Sequence, residues 1–193
     1  KNLSEILPVY GIEHNAILSK MGDVTVVFEV QLPELFTMSN DEYETFHHAW
    51  IKAIKVLPVN SVLHKQDWFT EAKYKPSFVQ EDNSFLTRSS NRFFNERPYL
   101  DHRCFIMLTK KPVNRKNVTS LFSSLLRKSI VPAETMNAKY LHDFMNHVGQ
   151  FQKIVEDSGF VTMKMLKDED QADFILRYLS LGNDSVAIRD IEF

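Results

Sequence analysis

The stretch VTVVFEVQL, Val24–Leu32, limits the fold more than any other part of this chain. Val24, Val26, Phe28, Val30 and Leu32 fall on one face, and Thr25, Glu29 and Gln31 on the other. A period of two over this length predicts a half-buried strand. Lys20-Met21-Gly22-Asp23 supplies a turn before it, and Val9–Ser19 reads as a strand leading into that turn, so the pair forms a hairpin. Downstream, Ser39 or Asn40 can cap a helix whose first turn carries Asp41 and Glu42. Tyr43, Phe46, His47, Trp50, Ile54 and Leu57 make its apolar stripe, and Pro58 ends it. SVLHKQDWF, Ser61–Phe69, returns as a strand.

The second half repeats this order. Asp82–Asn95 predicts a helix that stops before Pro98, and Arg103–Thr109 a strand. Val118, Leu121, Phe122, Leu125 and Leu126 have the spacing of a short helix. Ala138–Ser158 reads as a helix with Leu141, Met145, Val148 and Val155 inward and Gly159 as its stop. Phe160–Leu166 is a strand, and Asp168 opens a last helix ending near Gly182. Two β-α-β units in series predict an α+β, ferredoxin-like sandwich on a mainly antiparallel sheet, with an added N-terminal hairpin strand and extra helices. The 193 residues form a single domain on this reading.

Several chemistries are excluded. A P-loop needs two glycines five positions apart, followed by Lys and Ser or Thr, so that backbone N–H groups cradle phosphate. The glycines are Gly11, Gly22, Gly149, Gly159 and Gly182, none closer than ten residues to the next. That spacing excludes the P-loop and the dinucleotide fingerprint alike. A net charge of −2 supplies no global basic field for nucleic acid. One cysteine, Cys104, allows no internal disulfide. The chain starts at Lys1 rather than Met, so a piece of a longer protein is the expectation.

The segment FFNERPYLDHRCFIMLTK, Phe93–Lys110, gathers Glu96, Arg97, Asp101, His102, Arg103 and Cys104. A nucleophilic Cys104 would need an exposed thiolate beside a base. It lies instead in the apolar run CFIML, where a strand buries it, although His102 is on the same strand face. The expectation is a helix exit followed by a strand, with Arg97 pairing Glu96 or Asp101. A metal site is not expected: His142 and His147 are five apart on a helix, and a His102/Cys104 pair is short of the three or four ligands zinc takes. Asp168-Glu169-Asp170 suits the start of a helix, where carboxylates complement unsatisfied N–H groups.

From His102 to Ala133 there is no acidic residue, while Lys110, Lys111, Arg115 and Lys116 cluster there as a candidate basic contact. The last helix has two apolar rows, Ala172, Leu176 and Leu179 and then Phe174, Tyr178 and Leu181, so another element or subunit should cover it. Trp68, Phe69, Phe94, Arg97 and Tyr99, with Phe174 and Tyr178, are of the types that anchor interfaces. The competing reading of the large aromatics is core.

Together, LPELFTMSNDEYETFHHAWIKAIKVLP (Leu32–Pro58), HKQDWF (His64–Phe69) and FNERPYLDHRCFIMLTK (Phe94–Lys110) resemble the N-terminal domain of TraG-family conjugation ATPases, motors of conjugative-transposon transfer related to type IV secretion ATPases. The resemblance implies that a P-loop ATPase domain, with its ATP and Mg, lies beyond this chain. No cofactor and no catalytic residue is then expected here. It further implies a cytoplasmic protein at the inner face of the membrane, with inner-membrane channel components as partners and self-association in the motor. The expected function is a non-catalytic docking and assembly domain. The alternative is a domain contacting single-stranded DNA through the basic stretch, and a third reading is an enzyme using Cys104 and His102.

Overall fold

A computed structural model describes residues 7–74, 84–113 and 138–180. The elements are β1 (Val9–Glu13), β2 (Ala16–Ser19), β3 (Val24–Gln31), a 3-10 turn (Leu35–Thr37), α1 (Asn40–Val56), β4 (Ser61–Lys73), α2 (Phe85–Asn95), β5 (Pro98–Lys110), α3 (Ala138–Glu156), β6 (Thr162–Met165) and α4 (Asp168–Ser180). The proposed helix over Val118–Leu126 lies outside the described residues, as do Asp82 and Asn83.

All strand pairings are antiparallel. β3 pairs β5 along one edge, from Val24↔Lys110 to Val30↔Cys104. Its other edge is shared: the start pairs β2, and Phe28–Gln31 pairs β6. β4 lies outside β5. The order β6-β3-β5-β4 is that of two interlocked β-α-β units, since β3 and β4 both run antiparallel to β5, and β5 and β6 both run antiparallel to β3. The ferredoxin-like α+β sandwich expected from the sequence is therefore the observed fold.

Alternation along β3 and β5 sends side chains to two cores. Val24, Val26, Phe28, Val30, Cys104, Ile106 and Leu108 meet α1 and α3 through Ala53, Phe144, Val148, Phe151 and Val155. Val27 and Phe105 point the other way, onto α4, where Leu166, Phe174 and Ile175 complete a smaller cluster. Both faces of the central strands are covered, which is why Val27 is as buried as its neighbours. The inward face of α3 is led by Phe144 and Phe151, with Leu141 and Met145 only partly buried at its edge. On α1, Phe46, Trp50, Ala53 and Leu57 face inward, whereas Tyr43, His47 and Ile54 are exposed. The stripe read from the sequence thus divides into a core half and a solvent half, because α1 packs on its sheet and on α3 but is open beyond them.

Local signals account for the element ends. Ser39 caps α1 in a full capping box with Glu42, whose carboxylate is held below its usual range by hydrogen bonds from Ser39. Gly159 sits at φ 79° just after α3, a conformation that favours glycine. One expectation is corrected. Val9–Ser19 is not one strand but a hairpin, because His14 and Asn15 both take positive φ, 55° and 57°, and reverse the chain within two residues. Asp168 at the start of α4 seals that turn, its Oδ1 accepting from the Asn15 N–H at 2.6 Å.

β4 and β5 outrun the sheet. They pair over thirteen positions, Ser61↔Lys110 to Lys73↔Pro98, while β3 stops opposite Cys104. The remainder, Trp68–Lys73 with Pro98–Arg103, is a two-stranded arm that leads to α2 at its far end. Both strands are longer than the sequence suggested, since periodicity weakens where neither ribbon face is buried.

Candidate functional site

The FNERP–DHRC segment is built into the root of this arm. Asp67 stands directly across from Cys104, and Phe69 across from His102. The Asp67 carboxylate accepts from His102 Nε2 at 2.9 Å and forms an ion pair with Lys65. These partners, Lys65 first and His102 second, hold its pKa below the ordinary carboxylate value. The His102 ring also stacks on Phe69, with centroids 4.7 Å apart and planes 16° from parallel.

Cys104 is 2% exposed, and its thiol is pushed up to about 11, chiefly by burial and further by the facing Asp67 carboxylate. The Lys65 charge acts the other way, as a nucleophilic thiol would need, but burial outweighs it. Here the carboxylate lies between histidine and cysteine, and the imidazole is spent on Asp67. This Asp-His-Cys trio is a structural clasp at the root of the arm. Asp67 is its hub, and the sequence signal for it was the HKQDWF run read two residues at a time across the pairing register.

The other named residues separate clearly. Trp68 and Phe174 are packed on each other, stacked at 5.0 Å and 11°, with Phe105 within 4.9 Å of both. They are core. Phe69, Phe94, Tyr99 and Tyr178 are exposed. Arg97 does not follow the expectation of an ion pair with Glu96 or Asp101. Its guanidinium lies over the Phe93 ring, 3.9 Å from the centroid, and Glu96 is taken by Arg92 one helical turn back at 2.8 Å. Lys110 Nζ donates to the Val59 carbonyl, Lys111 is exposed, and Arg115 and Lys116 lie outside the described residues.

Beside the clasp, Glu29 receives two hydrogen bonds from Arg103, at 2.6 and 2.9 Å. The pair borders a cleft of about 210 Å³ between the sheet and α4, lined also by Trp68, Lys164, Asp170, Asp173 and Arg177. Its cations and anions balance, and its floor is the aromatic cluster. Among the described residues no group of three His, Cys, Asp or Glu side chains could hold a metal ion.

The arm concentrates large apolar side chains in solvent. Phe69 is 63% exposed, and Tyr74, Phe93, Phe94, Tyr99 and Leu100 are exposed with it. At the tip, Phe85 and Leu86 reach 80% and 78%. The sequence reading passed over these two; their signal was the run FLTRSSNRFFN, apolar at both ends with arginines between.

The fold is thus a ferredoxin-like sandwich carrying an aromatic-rich arm. Residues 1–48, spanning β1–β3 and the first half of α1, match the model of a family described as "Domain of unknown function, B. Theta Gene description" (DUF3875). No curated protein matches the chain. Among the described residues no helix is long and apolar enough to cross a membrane.

Proposed function

We propose that this chain is a non-catalytic docking and assembly domain of a conjugative DNA-transfer ATPase, which links the motor to inner-membrane channel components. The observation that carries the reading is the arm. A ribbon rooted in a clasped, well-packed sheet presents Phe69, Tyr99 and Leu100 to solvent. In the β4–β5 register Phe69 and Leu100 share one face of the ribbon and Tyr99 lies on the other; exposed apolar anchors on a rigid base are what a protein interface uses. The resemblance of Leu32–Pro58, His64–Phe69 and Phe94–Lys110 to the TraG N-terminal domain supplies the identity of the machine. The inert setting of Cys104 weighs against the enzymatic reading. The reading in which Lys110, Lys111, Arg115 and Lys116 contact single-stranded DNA ranks second, because Lys110 is already engaged with Val59.

The test is capture of channel components from detergent-solubilised membranes of conjugation-competent cells, with and without nuclease. Nuclease-resistant recovery that falls at least tenfold in a Phe69→Ser/Tyr99→Ser double variant is the expected result. Recovery that disappears with nuclease, or Mg-dependent ATP turnover by the chain itself, refutes the docking reading.

A further inference from the structure

The sheet closes one of its edges and leaves another open. At β6 the Leu166 N–H donates to the Val27 carbonyl, which sets Met163 among the residues whose backbone faces away from β3. The Met163 carbonyl accepts from Gln152 Nε2 at 2.9 Å, and its N–H donates to Glu156 Oε1 at 2.9 Å. Both side chains come from α3, so they occupy the place of a further strand. β4 ends the sheet on the other side. The Lys111 N–H donates to the Asn60 carbonyl, and pairing then runs unbroken from Ser61↔Lys110 to Lys73↔Pro98. Even-numbered residues of β4 therefore turn their backbone groups to β5, and odd-numbered residues turn theirs outward. The Ser61 N–H is taken by the Pro58 carbonyl. From Leu63 to Lys73, no hydrogen bond reaches the outward N–H and C=O groups among the described residues.

A row of unpaired strand groups fits one class of occupant, another extended strand, and a long edge without proline or bulge is a template for it. The side chains select a second copy of this chain. Antiparallel pairing of two β4 strands about a two-fold axis at Trp68 sets Leu63 against Lys73, Lys65 against Glu71 and Asp67 against Phe69, each pairing occurring twice. That register uses the whole outward row, since Trp68 is the midpoint of Leu63–Lys73. Glu71 is exposed and has no side-chain partner among the described residues. Lys65, which already holds Asp67, gains Glu71 of the copy as a second anion. The two Phe69 rings, each 63% exposed, become diagonal neighbours across the axis and come within reach of each other. Moving the axis by one residue fails on charge. At Asp67 it sets that carboxylate against its own copy, and at Phe69 it sets Lys65 against Lys73 and Asp67 against Glu71. Moving it by two, to Gln66 or Thr70, places outward residues beyond the end of the other strand.

We infer that the outer edge of β4 pairs with β4 of a second copy, antiparallel about an axis at Trp68, and joins two sheets into one through backbone hydrogen bonds. The inference rests on this chain alone and not on the docking reading; Tyr99 and Leu100 lie on β5, one strand in from the edge.

The test is sedimentation velocity of the purified chain across a wide range of concentration, joined to amide hydrogen exchange. The wild-type chain should reach a dimer at the upper end. The amides of Lys65, Asp67, Phe69 and Glu71 should gain protection as the dimer forms, while those of Gln66, Trp68 and Thr70, already turned to β5, change little. Glu71→Lys and Lys65→Glu should each weaken the dimer by about tenfold, since two like-charge pairs replace two opposite ones. An equimolar mixture of the two variants should regain the wild-type affinity as a mixed dimer, each chain supplying the charge the other lacks. Glu71→Pro removes one outward N–H, a change that an edge strand tolerates, and should abolish association. Unchanged urea midpoints of Glu71→Lys and Glu71→Pro are the folding control, and the exchange pattern of the wild type decides without any variant. A chain that stays monomeric, odd-numbered amides that gain no protection with concentration, a dimer indifferent to Glu71→Pro, or variants that do not recombine overturns the inference. So does a monomeric chain whose Glu71→Pro variant loses channel capture, which assigns the edge to a strand of another protein. Failure of the docking reading looks different: the purified chain dimerises and the variants recombine, while no channel component is captured.

Discussion

Truncating Phe174 to alanine separates the two readings of α4 as a core helix and as an interface helix. Phe174 is 8% exposed, stacked on Trp68 at 5.0 Å and tilted against Phe105 at 4.9 Å. Phe→Ala in a core costs about 3–5 kcal/mol, combining lost transfer energy with a residual cavity. The cleft of about 210 Å³ beside the ring lets water occupy part of the void, which places the cost at the lower end, about 3 kcal/mol. For a chain of this length that corresponds to a fall in Tm of about 6–12 °C. Urea unfolding followed by the fluorescence of Trp50 and Trp68 measures it, and Trp68, released from its stacking partner, should move to the red in the folded state. Phe174→Leu, which keeps most of the volume, should cost less than about 1.5 kcal/mol. Phe94→Ala on the arm should stay within about 0.5 kcal/mol of the parent. If Phe174→Ala also stays within about 0.5 kcal/mol, α4 is not part of the core, and the assignment of Trp68 and Phe174 to packing fails.

Other expectations follow from the same geometry. Cys104, with its thiol raised from 9.0 to about 11, should resist alkylation at pH 8 in the native chain and react readily in urea; native labelling at the rate of a free thiol would contradict the clasp. The raised pKa also fixes a sign. Above about pH 9 the unfolded chain loses this proton while the folded chain keeps it, so stability should fall between about pH 9 and 11, and a Cys104→Ala variant should lack that component in pH-dependent urea midpoints. Asp67 has the opposite sign: its folded pKa is below 3.8, so its contribution is present above that value and is lost as pH falls through the lower folded pKa. His102→Ala should move the Asp67 titration, followed by NMR, back towards 3.8; no movement would mean that the hydrogen bond does not form. Charge reversal at Lys110, Lys111, Arg115 and Lys116 should leave any single-stranded-DNA binding in physiological salt unchanged if the docking reading is right, whereas a steep loss measured by anisotropy would favour the DNA reading.

Sequence alone determined the features whose physics is local. The period of two in Val24–Leu32, the helix start at Ser39 or Asn40 with Asp41 and Glu42 in its first turn, and the Gly159 stop each act within a few residues, and each is found where the pattern put it, Ser39 being the cap. The order of strands and helices then leaves few ways to bury the apolar faces, so the α+β sandwich was legible as well. Tertiary structure decided what depends on partners far along the chain. Phe174 finds Trp68, 106 positions away in sequence, and that contact, rather than residue type, makes this pair core while Phe69 next door is exposed. Whether His102 serves Cys104 or Asp67 depended on the register of β4 against β5. The two-residue turn at His14-Asn15 was hidden because apolar residues continue on both sides of it. The open face of α2 was the least legible: an amphipathic pattern states that a helix has an apolar half, and only the surrounding fold decides whether anything within the chain covers it.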